Sequence, residues 1–222
     1  VQFAGYALAF GQTGLDAFFQ PPAGAVAAPV MQGPGQQGQG QDAAGGDGDV
    51  GARPGNPAPR ARHPALGPLD VEIDGLTLTQ SLAIIEYLND TRGGLLPADA
   101  AGRARVRALS YAVAMEIHPI CNLRVGRYVE AASAGAITMV GWQKKFIGEG
   151  LAAVEGMLNH PATGRFCHGD QITMADLCLL PQVYNARRWE VDVTSHVQIC
   201  RIVAELEAIP AIAAAHPDKV KP

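Results

Sequence analysis

Hydrophobic positions change character along this chain near residues 63–70. Beyond that point they recur at spacings that predict elements. Residues 71–79 read as a strand pair turning at Asp74-Gly75. Ile84, Ile85 and Leu88 then keep the spacing of a helix face, on a helix that opens at Gln80-Ser81. Val106, Leu109, Val113 and Ile117 mark a second helix, with Asp99 as its N-cap and a polar first turn over 102–105. A long helix is predicted over 136–158, its middle weakened by Gly148 and Gly150. Ile172-Thr173-Met174-Ala175-Asp176 reads as a capping box with a staple. In it Thr173 caps the following turn, Asp176 reaches back to the Thr173 amide, and Ile172 packs on Leu177. The helix it starts, over 174–188, is apolar nearly all round and belongs at the centre of a bundle. Pro210 and Pro217 bracket a short last helix, and the residues after it read as exposed and weakly ordered.

The first 62 residues show no such period. They contain no Ile, Glu, Lys, Ser or Cys, and residues 32–51 are close to pure Gly, Gln, Ala and Asp. Such a segment has too little apolar surface to offset its ordering entropy. Three readings compete: a disordered extension, a badly diverged domain, or translation in the wrong frame. GC-rich DNA read out of frame yields this vocabulary, so the third is preferred. The leading Val1, in place of Met, points to an incomplete gene model. The expected organisation is a low-complexity segment over 1–62, a remnant of a small sheet-containing domain over 63–94, and an all-helical domain over 95–222.

Composition narrows the function. The formal charge is −4 and no Lys/Arg run occurs, which argues against nucleic acid and anionic membrane as partners. No apolar run approaches the roughly 20 residues that span a bilayer. The four cysteines have no metal-type spacing and no metal site is predicted. No signal peptide is visible, so the thiols are read as reduced and the protein as cytoplasmic.

Chemistry concentrates in three strings. Gln80-Ser81 stands at a helix start, where free N–H groups and the dipole favour an anion. An amide and a hydroxyl there can grip a small carboxylate and its amine. The second string is Glu116-Ile117-His118-Pro119-Ile120-Cys121-Asn122-Leu123-Arg124. On a continuous helix His118 and Asn122 would share one face, while Pro119 would widen a turn and free carbonyls. The third is Pro181-Gln182-Val183-Tyr184-Asn185-Ala186-Arg187-Arg188-Trp189. Its arginines suit bidentate carboxylate binding. Read by themselves, these strings are also compatible with a capped amphipathic helix, a helix kink with a surface His, and a structural ion pair at Arg188.

Together the strings resemble the zeta class of the glutathione transferases, and the resemblance runs nearly continuously over 71–222. It implies a mainly α fold: a glutathione-transferase-like helical bundle preceded by a remnant of a thioredoxin-like domain. Residues 95–99 resemble the linker between those two domains, and His63-Pro64-Ala65-Leu66 resembles the start of a cis-proline motif. Glutathione is the implied cofactor, with Gln80 and Ser81 holding its γ-glutamyl end and His118 and Asn122 as further contacts. Arg124 and Arg188 are the implied contacts to a small dicarboxylic substrate, and Arg187 is read as a helix C-terminal cation. The implied reaction is glutathione-dependent cis–trans isomerisation of 4-maleylacetoacetate to 4-fumarylacetoacetate, in tyrosine and phenylalanine breakdown, by a homodimer. Isomerisation of maleylpyruvate and general glutathione transfer are the alternatives within the class. A non-catalytic helical interaction module is the alternative outside it. The family activates the glutathione thiol with a Ser or Cys motif just after its first strand. Residues 1–62 hold neither residue, so no catalytic residue is identifiable and this chain is expected to have little activity.

Overall fold

The computed structural model describes residues 71–220. The expectations for residues 1–62 and for His63-Pro64-Ala65-Leu66 lie outside them. Val71–Ile73 (β1) and Leu76–Leu78 (β2) pair antiparallel, with Val71 opposite Leu78 and Ile73 opposite Leu76. Asp74 and Gly75 form the turn, both at positive φ (53° and 76°), the twist that suits a two-residue hairpin. Val71 and Ile73 are buried and join Ile84, Ile85 and Leu88 of helix α1 (Ser81–Arg92) in the core. The turn is also tied to α1 through the Asp74 carboxylate. It accepts from the Tyr87 hydroxyl at 2.8 Å and from Arg92 at 3.0 and 3.1 Å. The Arg92 bond, followed by that of Tyr87, holds the Asp74 carboxyl below its usual value.

The connection after α1 is fixed at both ends. Asn89 Oδ1 accepts from the Leu95 and Leu96 amides, and the Leu95 carbonyl accepts from the Met174 amide at 2.9 Å. Asp99 then caps α2 (Ala100–Tyr111) as expected, accepting from the Gly102 amide at 2.7 Å. The helix does not run on regularly. Residues Ala112–Ile117 widen to π-helical geometry, and one further turn, α3 (His118–Ile120), follows before the chain breaks. Pro119 explains the irregularity, because it has no N–H to return to the carbonyl four residues earlier. Val106, Leu109, Val113 and Ile117 are all buried, so the apolar stripe survives the change of geometry.

Helix α4 (Leu123–Ala132) leads to α5 (Met139–Leu158), which starts three residues later than the predicted 136. Ala134 and Gly135 turn through positive φ, and the Thr138 hydroxyl accepts from the Gly141 amide, so the cap falls at 138. Gly150 weakens helix propensity for a reason that only packing shows. A Cβ there would run into the side chain of Ile117 on the π segment.

Helix α6 (Met174–Arg188) is central, packed against α2, α5 and α7 (Val197–Glu207). Ile147, Leu151, Met174, Cys178, Ile199, Ile202 and Leu206 are fully buried among them. Each such side chain contributes about 1.5–3 kcal/mol relative to exposure. The predicted capping box closes at the start of α6. Asp176 Oδ2 accepts from the Thr173 amide and hydroxyl, and Oδ1 accepts from the Cys167 amide at 2.8 Å. Helix α7 is capped from outside: Glu155 on α5 accepts from the Gln198 and Ile199 amides at 2.8 and 2.9 Å. Two short helices, α8 (Pro210–Ala214) and α9 (Pro217–Val220), end the described chain. The end after α8, expected to be exposed, is so only at Asp218 and Lys219. Ala215 is buried, His216 and Pro217 are half-buried, and Asp218 is bonded to α6. The architecture is mainly α, a helical bundle preceded by a hairpin and helix, as the sequence pattern implies.

Candidate functional site

Gln80 is the N-cap residue of α1 and adopts φ 69°, ψ 114°, a left-handed backbone that is strained for a residue with a side chain. Its side chain makes no capping bond, and the first turn of α1 carries no acidic residue. The first-turn amides and the dipole therefore present an uncompensated positive end beside the exposed Gln80 and the half-buried Ser81. Strained backbone of this kind recurs at ligand sites.

His118 opens α3, half-buried, and burial pushes its imidazole down to about 4, so it is neutral at physiological pH. The expected shared face of His118 and Asn122 is not formed, because the helix ends at Ile120. Asn122 instead caps α4, its Oδ1 accepting from the Arg124 amide at 3.0 Å. That use occupies the carbonyl end of the amide and fixes the direction of the NH2 end. The broken segment is held in place from α5. Trp142 Nε1 donates to the Ile120 carbonyl at 2.9 Å, and buried Gln143 Nε2 donates to the Cys121 carbonyl at 2.8 Å. These two side chains carried no motif and were not singled out from the sequence.

Arg188 is the last residue of α6 and is exposed. Its neighbour Arg187 pairs with Glu207 of α7, which agrees with a structural role for Arg187. Among the described residues neither Arg188 nor Arg124 has a carboxylate partner, which leaves both guanidinium forks available to a ligand. The candidates thus stand on four elements: the start of α1, the α3 turn, the start of α4 and the end of α6. The π segment that leads into His118 packs against α6, and α2 is joined to α1 by Arg107 and Glu86 at 2.7 Å. Gln182 and Asn185, earlier on α6, are buried with amide atoms that have no hydrogen-bond partner among the described residues. Residue type gave no sign of that. No metal-binding cluster of His, Cys, Asp or Glu occurs among the described residues.

A hairpin and helix feeding a bundle with a central capping-box helix defines a protein of the glutathione-transferase type. No family model matches the chain. Individual relatives do. It is 59% identical over 166 residues to the maleylacetoacetate isomerase of Rhizobium meliloti (strain 1021), covering 73% of this chain and 78% of that protein. A solved maleylacetoacetate isomerase from Anaeromyxobacter dehalogenans 2CP-1, with glutathione bound in its active site, shares 41% identity at a TM-score of 0.62. The alignment covers 68% of this chain and 70% of that one. The same enzyme has also been solved with dicarboxyethyl glutathione and citrate bound in its active site. A maleylpyruvate isomerase described as a bacterial zeta-class glutathione transferase superposes at a TM-score of 0.64 with 38% identity, over 68% of this chain and 73% of that one. The chain belongs to the maleylacetoacetate isomerase family, within the zeta class of glutathione transferases.

Proposed function

We propose that this chain carries the binding half of a glutathione-dependent cis–trans isomerase acting on 4-maleylacetoacetate. The observation that carries the reading is the 59% identity to a maleylacetoacetate isomerase. It is supported by the strained start of α1, where Gln80 makes no side-chain cap, and by the two arginines that have no carboxylate partner among the described residues. Gln80 and Ser81 hold the γ-glutamyl carboxylate and amine of glutathione at the positive end of α1. Neutral His118 and the NH2 group of Asn122 are further contacts to it. Arg124 and Arg188 take the carboxylates of the substrate. Bound glutathione supplies a thiol able to add reversibly to a conjugated double bond, around which rotation then becomes free. The arginines keep the acidic ends in place through that rotation, and their charge offsets negative charge that develops on the conjugated carbonyl. The smaller identity to maleylpyruvate isomerase ranks that substrate second.

Two finer readings accompany this one. The protein acts as a homodimer, with Tyr111 and Met115 in the interface. They stand one turn apart and are 38% and 59% exposed. It works in the cytoplasm, in keeping with four free thiols.

Glutathione binding and turnover separate the parts of the proposal. Calorimetry on the intact chain should show glutathione binding that Gln80→Ala weakens at least tenfold, while Arg188→Ala leaves it within twofold. Turnover of 4-maleylacetoacetate should be low, because no Ser or Cys in residues 1–62 is present to lower the thiol pKa. A chimera carrying the N-terminal domain of the Rhizobium meliloti relative should recover it, and Arg188→Ala in that chimera should raise KM. Absence of glutathione binding, or equal losses of it in both variants, would overturn the assignment.

A further inference from the structure

Gln182 is fully buried, and neither its Nε2 nor its Oε1 has a hydrogen-bond partner among the described residues. Asn185 is 7% exposed, and its buried Oδ1 is unmet in the same way. Buried polar side-chain atoms are nearly always bonded, and an unmet one is costly, so three on one stretch of helix call for a partner. The two residues stand three apart on α6, which places their Cβ atoms about 5–6 Å from each other. Their amides do not bond to one another. A small molecule bonded to both would span that gap.

The surroundings indicate its chemistry. Cys178 lies one turn before Gln182 on the same face, and the Ser110 hydroxyl at the end of α2 acts on its thiol. The π segment continues α2 and also packs against α6. The face that carries Cys178, Gln182 and Asn185 therefore runs from the end of α2 towards the π segment. The unmet atoms offer one NH2 donor and two carbonyl acceptors. A cation could use only the oxygens, and an anion only the NH2 group. Water uses both.

We propose that Gln182 and Asn185 bind internal water on the face of α6 that runs towards the π segment. One water accepts from Gln182 Nε2 and donates to Asn185 Oδ1, and a second donates to Gln182 Oε1. The site stands beside the segment that leads into His118. It is independent of the ligand assignments, since it needs neither glutathione nor substrate.

A high-resolution crystal structure of the intact chain should show a water oxygen about 3 Å from both Gln182 Nε2 and Asn185 Oδ1. A direct bond between the two amides, or a dry contact, would overturn the proposal. Gln182→Met keeps the length of the side chain and removes both amide atoms. If water bridges the pair, this variant strands Asn185, and its thermal midpoint should fall by about 3 °C or more. A midpoint that holds or rises would mean that an unbonded polar group had been removed, which overturns the site. Asn185→Leu should lower the midpoint too, and the double variant should lose less than the sum of the single losses, because one water serves both side chains. Additive losses would overturn the shared water. Oxygen-17 relaxation of the solvent should report fewer long-lived internal waters in Gln182→Met than in wild type, and an equal number would count against the site. Should the variants fail to fold, the wild-type crystal structure decides.

Discussion

Asp176 shows how much one side chain does in this bundle. Its buried carboxyl accepts from two backbone amides and one hydroxyl, one of those amides nine residues earlier in the chain. Burial raises its pKa, and the hydrogen bonds from Cys167 and Thr173 oppose that rise. Asp176→Ala strands two buried N–H groups, each costing about 1–3 kcal/mol. We expect a loss of about 3 kcal/mol or more, against about 1 kcal/mol for the lost cap in Thr173→Ala. Urea denaturation of both variants measures the difference, and equal midpoints would refute it. Asp99 gives a test with pH. Its bond to the Gly102 amide, the largest cause, lowers its carboxyl pKa in the folded state. A lowered pKa means that the cap's pH-linked stabilisation is present above the ordinary value of about 3.9 and is lost as pH falls through the folded value. Asn keeps the capping acceptor without titrating. The thermal midpoint of Asp99→Asn should therefore fall less steeply than that of wild type below about pH 4. Parallel acid limbs would show that Asp99 does not contribute.

The broken helix between Ala112 and Asn122 carries two of the candidate glutathione contacts, His118 and Asn122. Pro119 breaks it, but its new path is set by neighbours. Gly150 gives Ile117 room, while Trp142 and Gln143 receive the Ile120 and Cys121 carbonyls. Gly150→Ala would force a methyl into the π segment. Overpacking of this kind costs about 1–3 kcal/mol, although alanine is the better helix former. Gln143→Met removes the donor to a buried carbonyl and should cost about 1–3 kcal/mol. Both should also weaken glutathione binding, because His118 and Asn122 lie on the element they shift. Calorimetry beside thermal melts tests this: stability loss with unchanged glutathione affinity would mean that the segment does not form part of the site.

Across the whole molecule, burial decides what the cysteines can do. It raises the thiol pKa of Cys121 to about 11 and of Cys178 to about 12, and that of Cys167 well above its usual value. Thiolate is the reactive form, so these three should react slowly with an aromatic disulfide reagent at pH 8 in the folded chain and fully in denaturant. Fast labelling of all three in the native protein would contradict the buried core. Much else was legible before folding. The hairpin at Asp74-Gly75, the Asp99 cap, the box at Thr173 and the apolar stripes of α1, α2 and α6 are local in origin. Backbone preference, capping chemistry and side-chain period act over a few residues, and sequence displays them directly. The candidate residues Gln80, Ser81, His118, Asn122, Arg124 and Arg188 were legible as strings, but their geometry was not. Whether His118 and Asn122 share a helix face, why Gly150 is glycine, which amide receives Asp176 Oδ1, how Glu155 caps α7 and where Asp218 docks all depend on groups far apart in the chain. Sequence by itself determined the hairpin, the Asp99 and Thr173 caps and the apolar stripes of α1, α2 and α6, because those energies are local. Only the tertiary structure decided the broken helix, the buried bonds across it and the fastened C-terminal end, because each needs a partner that folding alone brings within reach.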